Sequence, residues 1–485
     1  MLWRFRKRSK EEKRKSTKSR YFTLTMNLKL RLTILSFLQF FVWGAWLITM
    51  ANFWFGTKHW DGTQFGAVFG TMGIASIFMP TITGIIADRW VNAERIFSAL
   101  QILYGITLFV LPHTENPSSF YLVMLVAMCF YMPTIALANS ISYTVLKNSN
   151  LDVVKDFPPI RVWGTIGFIV AMWVTNLTGN KSTEGQFYIG GIAAIILGIY
   201  ALTLPKCPPQ KLIDKSASIF EQLGLNAFKL FGNYKMALFF GFSMLLGAAL
   251  QLTNAYGDVF LSEFSHFPKY ADSFVVQRST IVMSISQVSE TLFILAIPFF
   301  LKRYGIKKVM LISMFAWVLR FAFFAYGTPE GYGVSLIILS CIVYGMAFDF
   351  FNISGSLFVE TTTDKKIRSS AQGLFMMMTN GFGAYFGSNI AGWAIDKFFT
   401  HKFVNADELS TYLDTTPNNP TFLEILKKTF NSAVNADGTL SSAVMLRDWT
   451  NIWLAFAAYA LVLAILFAVL FRHKHNPEDV SAVKH

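Results

Sequence analysis

The sequence predicts an all-α membrane protein with twelve transmembrane helices arranged in two six-helix bundles. Hydrophobic residues make up 53% of the chain, charged residues make up 14%, and the mean hydropathy is +0.44, which together exclude an ordinary soluble domain. About twelve apolar runs lie between Leu30 and Phe471, each roughly 18–25 residues long, as crossing ~30 Å of hydrocarbon requires. The polar stretch 205–235 separates the first six runs from the last six.

Each apolar run is interpreted as one helix. The predicted spans are 31–55, 64–87, 96–112, 120–146, 152–177, 187–204, 236–262, 275–301, 309–326, 333–359, 369–395 and 450–471. The predicted units are a basic N-terminal tail (1–25), a first bundle (26–204), a central loop with an amphipathic helix (205–235), a second bundle (236–472) and a C-terminal tail (473–485). Residues 397–448 are predicted to form an extracytoplasmic insertion, with a helix that starts at Asn419-Pro420. Similar basic loops in the two bundles indicate an internal duplication, with a binding site between the repeats.

The basic residues indicate how the chain is oriented. The net charge is +14, but about ten basic residues lie in the first twenty positions and most others lie in alternate loops. This is the pattern of positively charged cytoplasmic loops, not that of a nucleic-acid-binding surface. We therefore expect a multi-pass protein of the cytoplasmic (inner) membrane, with both termini in the cytoplasm, the lipid bilayer as its surroundings and no nucleic acid as a partner.

Histidine and cysteine restrict the chemistry inside the membrane. All seven histidines fall in predicted loops or tails, and the three cysteines lie in or beside apolar runs without metal-like or disulfide-like spacing. The sequence therefore predicts no metal site and no imidazole relay at membrane depth. If protons cross the membrane, carboxylates must carry them.

Four charged side chains fall deep within predicted helices: Arg161, Glu290, Arg320 and Asp349. A charge near the bilayer centre costs roughly 2.5–3.5 kcal/mol, so such residues usually pair, face a water-filled cavity or bind a ligand. Arg161 is alternatively an anchor at the cytoplasmic end of its helix, and Arg320 is expected to neutralise a buried acid. Glu290 and Asp349 are the hardest to explain as structural residues.

Polar and aromatic side chains also recur at helical spacing on single faces. The sets are Arg161, Thr165 and Phe168; Gln251, Asn254 and Asp258; Gln287 and Glu290; and Tyr344, Phe348 and Asn352, with Asp349 adjoining. Their amides, acids, guanidinium and rings suit a ligand with a flat ring and several hydroxyls. The alternative is structural: a single Gln or Asn is often an interhelical hydrogen bond worth about 0.6 kcal/mol, and Phe168 and Phe348 are equally compatible with packing.

Two kinds of motif resemble known families. The stretch after the second helix resembles the gating-loop signature of the major facilitator superfamily, although Trp90 and Val91 depart from its usual glycine. The matching residues are Gly84, Asp88, Arg89 and Arg95. Longer motifs at 157–165, 251–254, 284–290 and 348–355 resemble the bacterial nucleoside:proton symporters. The resemblance extends from Met26 to about Phe471, without the insertion.

The resemblance implies a major facilitator fold and a nucleoside held between its two halves. The positions that match the family's binding residues are Arg161, Thr165, Phe168, Gln251, Asn254, Gln287, Glu290, Tyr344, Phe348 and Asp349. Among them, Asp349 and Glu290 are the expected proton-coupling residues. The implied protein is a monomeric importer of nucleosides with protons, working by alternating access, without a cofactor and driven by the proton gradient.

Three other functions remain open from the residues themselves. A sugar:proton symporter would use many of the same hydroxyl-binding groups. A membrane-embedded enzyme would need a nucleophile–base pair or a metal site at membrane depth, which the histidines do not supply. A channel would differ by lacking saturable, gradient-driven uptake. The sequence leaves the choice between purine and pyrimidine nucleosides open.

Overall fold

The structure is a computed structural model that describes residues 28–209, 225–266, 268–364, 367–415 and 439–473. Within these residues, eight helices are long and apolar enough to cross a membrane, and Gly185–Ala201 is a shorter apolar helix. The prediction of a mainly helical chain with several membrane-spanning helices is confirmed. The largest fully buried side chains include four tryptophans: Trp46, Trp54, Trp317 and Trp453.

The N-terminal half of the chain (28–204) is helical over most of its length. Its α-helices are α1 (28–44), α2 (Gly62–Arg89), α3 (Ala93–Val110), α4 (Pro117–Asn148), α5 (Val153–Leu177) and α6 (Gly185–Ala201). Turns and a π-helix, Asn52–Thr57, continue α1 toward α2. Helix α4 begins where the side chain of Asn116 accepts the backbone N–H of Ser119 at 2.9 Å, which satisfies one of the free donors of the first turn.

The C-terminal half (225–473) is built in the same way and adds a small sheet. Its main elements are α7 (Tyr234–Glu263), α8 (Ser279–Ala325), α9 (Gly331–Thr362), α10 (Arg368–Met376), α11 (Ala384–Phe398), β1 (Thr400–Asn405), α12 (Ala406–Thr415), β2 (Thr439–Arg447) and α13 (Trp449–Leu470). A π-helix, Met377–Gly383, joins α10 to α11. The described end of the predicted amphipathic segment is a 3-10 helix, Leu225–Gly232, and its earlier part lies outside the described residues.

Helix α8 contains a sharp bend at Gly305. The backbone there has φ 76° and ψ 168°, a conformation that glycine adopts without steric cost and other residues rarely do. The sequence predicted two helices, 275–301 and 309–326, with a basic loop between them. The structure reduces that loop to the bend, because one glycine supplies the change of direction.

Strands β1 and β2 form an antiparallel two-stranded sheet, here called the hairpin. Thr400 pairs with Arg447 and Phe403 pairs with Val444, with a bulge before Asn405. The sequence analysis predicted the insertion but missed its strands, because they pair over more than thirty residues and no local pattern reports such a pairing. The helix predicted at Asn419-Pro420 lies outside the described residues.

The two ends of the molecule differ in how closely α2 approaches the α10–α11 segment. We call the end with the hairpin the hairpin side, and the end with residues 28 and 473 the tail side. A Cβ at Gly66 would lie 2.3 Å from the backbone oxygen of Ser388, so the two backbones touch toward the hairpin side. A Cβ at Gly84 or Gly373, toward the tail side, would have nothing within 4 Å. The segments therefore separate toward the tail side.

Candidate functional site

Three of the four buried charges come together between the two halves. Arg161 lies on α5, Glu290 on the first arm of α8 and Asp349 on α9. The guanidinium attracts both carboxylates, and the two carboxylates interact with each other. Neither carboxylate lies within ion-pairing distance (4 Å) of Arg161 in the part of the chain that the structure describes. The three charges therefore interact across the interface without closing into a salt bridge.

Asp349 and Gln287 carry polar atoms that no protein group satisfies. Asp349 is 5% exposed, and its Oδ2 is buried without a hydrogen-bond partner among the described residues. The Oε1 atom of Gln287 is also buried and unpaired. A buried acceptor that lacks a donor costs about 1–3 kcal/mol, so two of them on facing helices are expensive to keep for structural reasons alone. They offer acceptors to a ligand or a proton.

The amide and hydroxyl side chains of the predicted site are not engaged elsewhere. Gln251 is buried, and Asn254 and Thr165 are half-buried. Within the described ranges, none of their side chains donates or accepts a hydrogen bond with another residue, which argues against the interhelical hydrogen bonds weighed above. The helical spacing of Gln251 and Asn254 keeps both on one face of α7.

The aromatic members of the site differ from one another. Tyr344 and Phe348 are stacked on α9, with ring centroids 6.3 Å apart and planes inclined by 11°. Phe348 is half-buried, so part of its side chain is accessible, whereas Tyr344 is buried. Phe168 is 8% exposed and meets Trp43 edge-on at 6.2 Å. The packing interpretation therefore fits Phe168 better than Phe348.

Arg161 lies within its helix and not at the helix end. Helix α5 begins at Val153, so Arg161 is about two turns beyond its first residue. Its guanidinium carbon lies 4.0 Å from the ring centroid of Phe40 on α1. This cation–π contact holds the guanidinium between α5 and α1, and the anchor interpretation is not supported.

The prediction that Arg320 neutralises a buried acid is wrong. Arg320 is 0% exposed, and in the described part of the chain no carboxylate lies within 4 Å of it. Its Nη1 donates to the backbone oxygen of Ser340 at 2.8 Å and to the hydroxyl of Ser286 at 3.3 Å. Its guanidinium carbon also lies 4.4 Å from the ring centroid of Tyr344. Neutral oxygens and a π face stabilise the cation instead.

The predicted gating-loop residues lie at one turn on the tail side. Gly84, Asp88 and Arg89 belong to the last turns of α2, and Arg95 belongs to the first turn of α3. The sequence analysis missed Glu94, which is buried beside them. Its carboxylate accepts the backbone N–H of Cys207 at 2.9 Å and so ties this turn to the segment after α6.

The sequence analysis also missed a polar network between the halves on the hairpin side. Asp258 is 0% exposed, and its carboxylate accepts a hydrogen bond from the side-chain amide of Asn52 in the other half. Lys181, in the loop before α6, reaches across to donate to Ser279 Oγ and to the backbone oxygen of Val276, both at 3.1 Å. Burial lowers the pKa of Lys181 below its ordinary value. A lysine in a loop gives no sequence signal for such a contact.

Comparison with known proteins identifies the family. The sequence profile described as nucleoside H+ symporter matches residues 26–415. The chain belongs to the nucleoside H+ symporter family. The nucleoside permease NupG of Escherichia coli (strain K12) is 47% identical over 462 residues, which cover 95% of this chain and 100% of that protein. The xanthosine permease of the same organism is 47% identical over 464 residues, with the same coverage.

Solved structures agree with this family. The crystal structure of the nucleoside transporter NupG superposes with a TM-score of 0.77 at 47% identity, over 92% of this chain and 100% of that chain. A bacterial homologue of the human lysosomal transporter Spinster, in an inward-facing and unoccupied conformation, reaches a TM-score of 0.61 at 14% identity, over 92% of this chain and 97% of that chain. The second likeness shows the fold alone.

Membership of the family confirms the predicted nucleoside:proton symporter and excludes the membrane-enzyme alternative: the chain is a multi-pass membrane transporter. Nucleosides and protons are what this family moves together. Within the described residues, no group of three or more His, Cys, Asp and Glu side chains is arranged to hold a metal ion.

Proposed function

We propose that this chain imports nucleosides together with protons by alternating access across the cytoplasmic membrane. The proposed architecture has twelve membrane-spanning helices in two six-helix bundles, 26–204 and 236–472, joined by the loop 205–235. The bends and short helices of the described chain support this count, since Gly305 divides α8 into two arms and α10 continues into α11 through a π-helix. We propose that the protein works as a monomer, without a cofactor and within the lipid bilayer.

We infer that the tail side faces the cytoplasm and the hairpin side faces the exterior. Basic residues support this orientation, because Lys147, Lys155 and Lys302 lie at helix ends on the tail side. The chain tails 1–25 and 473–485 would then both be cytoplasmic. Since α2 and the α10–α11 segment separate toward the tail side, the described conformation corresponds to a site that opens inward.

The observation that carries the proposal is the meeting of Arg161, Glu290 and Asp349 across the interface of the two halves. A carboxyl that is buried without an ion pair releases or accepts a proton according to what else occupies the cavity. Asp349 and Glu290 are therefore the proposed coupling residues. The other eight positions supply the groups that bind the nucleoside: Arg161, Thr165, Phe168, Gln251, Asn254, Gln287, Tyr344 and Phe348.

One proton supplies enough energy for this function. A proton that crosses about 100 mV yields roughly 2.3 kcal/mol, which corresponds to about 50-fold accumulation of a neutral solute. Uptake of labelled uridine and adenosine into proteoliposomes, with and without an imposed pH gradient, tests the proposal. We expect accumulation only with the gradient inward, and collapse on addition of a protonophore. Nucleoside uptake that is the same with and without the pH gradient would contradict proton coupling.

The coupling residue is tested by Asp349→Asn, which keeps the shape of the side chain and removes its titration. We expect uphill uptake to be lost while exchange of nucleoside across the membrane persists. The matched control is Asp272→Asn, since Asp272 is exposed in the turn after the short helix Pro268–Ala271. An Asp349→Asn protein that still concentrates nucleoside would show that another group carries the proton.

A further inference from the structure

A pocket adjoins the candidate site on the C-terminal half, and Phe348 forms part of both. It is lined by residues of α7, α8, α9 and the π-helix between α10 and α11. Its lining includes Leu250, Trp317, Phe348, Asn352, Thr379 and Asn380. Of these, only Phe348 belongs to the ten positions assigned to nucleoside binding.

Two carboxamides face this pocket. Asn352 lies one turn beyond Phe348 on α9, half-buried, and within the described chain its side chain makes no hydrogen bond. Asn380 lies in the π-helix Met377–Gly383, and its amide has only a weak contact at 3.7 Å with the sulfur of Met376. Carboxamides that line a pocket without protein partners are available to a ligand.

Asn380 belongs to a π-helix that packs closely against α7. A π-helix inserts one extra residue per turn and is frequent at functional sites. The π-helix brings the backbone oxygen of Thr379 against α7, where a Cβ at Gly247 would lie 2.1 Å from it. Only glycine fits at that position, so the close approach fixes the direction in which the following residue, Asn380, projects.

Most of the remaining lining is apolar, which suits a heteroaromatic ring. Phe348, Leu250 and Trp317 line the pocket with apolar surface. A ring stacked on Phe348 presents its edge to side chains one turn away. A carboxamide carries one acceptor and two donors, so it matches the paired donor and acceptor groups on the edge of a nucleobase.

We propose that Asn352 and Asn380 read the edge of the nucleobase and so determine which bases the transporter accepts. This inference rests on the proposed function, because it requires a nucleoside in the site. In this arrangement Phe348 stacks on the base, the two carboxamides bind its polar edge, and the cluster of Arg161, Glu290 and Asp349 is left to the sugar and the proton. A carboxamide can turn its donor and acceptor ends over, which suits acceptance of more than one base.

The test compares uridine with 3-methyluridine, which differs only at the N3–H of the base edge. Binding of each to the purified full-length protein is measured by calorimetry, for wild type and for Asn352→Ala and Asn380→Ala. We expect wild type to prefer uridine by about tenfold, the order of a lost edge contact. We expect this preference to fall to within twofold of unity in both variants. The matched control is Asn389→Ala on α11, whose amide donates to the backbone oxygen of Tyr385 at 2.7 Å outside the pocket, and it should keep the wild-type ratio.

The ratio of the two affinities separates base reading from a general loss of structure, because a merely structural residue changes both affinities alike. If an alanine variant does not fold, Asn→Leu at the same position keeps the volume and carries the same expectation. The inference is overturned if the wild type binds uridine and 3-methyluridine equally. It is also overturned if either pocket variant keeps the wild-type ratio of the two affinities. Neither result contradicts the proposed transport function. A wild type that binds neither uridine nor adenosine contradicts the proposed function itself.

Discussion

The hairpin side and the tail side of this transporter use the same helices in different ways. Nine hydrogen bonds join the two halves between described residues on the hairpin side. Toward the tail side, α2 and the α10–α11 segment separate, and Gly84 and Gly373 have open space around them. One end is therefore closed by specific contacts while the other is apart, as expected of a single state in alternating access.

The contacts that close the hairpin side are weak enough to keep the closed state reversible. Backbone contact at small residues gives a close fit, and polar side chains fix the register. Each polar contact is worth only about 0.5–1.5 kcal/mol net, because the groups regain water when the end opens. A nucleoside and a proton can therefore shift the equilibrium between two closed ends, provided that each end is stabilised by only a few kcal/mol.

The largest effect is expected where the two backbones touch. In Gly66→Leu, the new Cβ would lie 2.3 Å from the backbone oxygen of Ser388, and backbone cannot turn away as a side chain can. We expect closure of the hairpin side to be lost, at a cost above about 3 kcal/mol, the upper end of ordinary overpacking. Distances between spin labels placed on the hairpin-side ends of α2 and α11 measure this directly.

The matched control for that substitution is Gly241→Leu on α7, where a Cβ meets nothing within 4 Å. It places the same side chain in a membrane-spanning helix without touching the other half. If both variants lose the short distance between the spin labels to the same extent, the effect of Gly66→Leu comes from helix propensity or membrane insertion and not from the contact with Ser388.

A smaller effect is expected from the buried carboxylate of the hairpin side. Asp258→Ala removes the acceptor of the Asn52 amide and a carboxyl group that favours the charged form of Lys181. A hydrogen bond to a charged group is worth about 1.5–3 kcal/mol, so the closed population should fall by about 10- to 150-fold relative to the open one. Labelling of a single cysteine on this side by a membrane-impermeant reagent measures the change. Asp272→Ala, in an exposed turn of the same side, should label like wild type.

The sequence indicates candidate site residues but gives no sign of these contacts, for a physical reason. Glu290, Asp349 and Gln251 are polar residues in apolar helices. Each can be recognised from the sequence of its own helix, because a polar side chain inside the membrane carries a free-energy cost. Lys181 and Asn52 lie near helix ends, where polar residues are ordinary. Their role depends on which residue of the other half they meet, and no local pattern carries that information.

The same distinction explains the errors in the fold. Helix spans follow from local hydrophobicity, and they agree with the structure for most of the chain. The two strands of the hairpin pair across more than thirty residues, and Arg320 is stabilised by Ser340, Ser286 and Tyr344, which lie on other turns and other helices. Both depend on tertiary contacts. The sequence shows which side chains are polar or charged, but the tertiary structure determines which residues they contact.

A pH effect is expected at Lys181. Burial lowers the pKa of its ammonium in the closed hairpin side, Asp258 partly opposes this, and the ordinary value of 10.5 returns when the side opens. Below the lowered pKa the lysine is charged in both states, and closure does not depend on its titration. As the pH rises from the lowered value toward 10.5, the closed state loses its proton first and is stabilised relative to the open state. Cysteine labelling on this side should therefore slow over that range.

The control for the pH effect is Lys181→Met, which keeps the apolar stem and removes the titrating group. Its labelling rate, corrected for ionisation of the thiol, should not change over the same pH range. Labelling that accelerates with pH in the wild type, after the same correction, would mean that the ammonium stabilises the closed state and that Asp258, not burial, dominates its environment. Arg278 faces the same lysine and disfavours its charged form, so Arg278→Met should weaken the effect without reversing it.

The smallest effect is expected at the rim of the closed end. Lys402, on the hairpin, pairs with Asp61 of the other half at 2.5 Å, but the two side chains are 44% and 48% exposed. Ion pairs in water contribute about 0–1 kcal/mol and are screened by salt. Lys402→Ala should therefore change cysteine labelling on the hairpin side by less than about fivefold, and less still at high ionic strength. A change as large as that of Asp258→Ala would show that the exposed ion pair of the hairpin, and not the buried network around Asp258, is the main stabilising contact of the closed hairpin side.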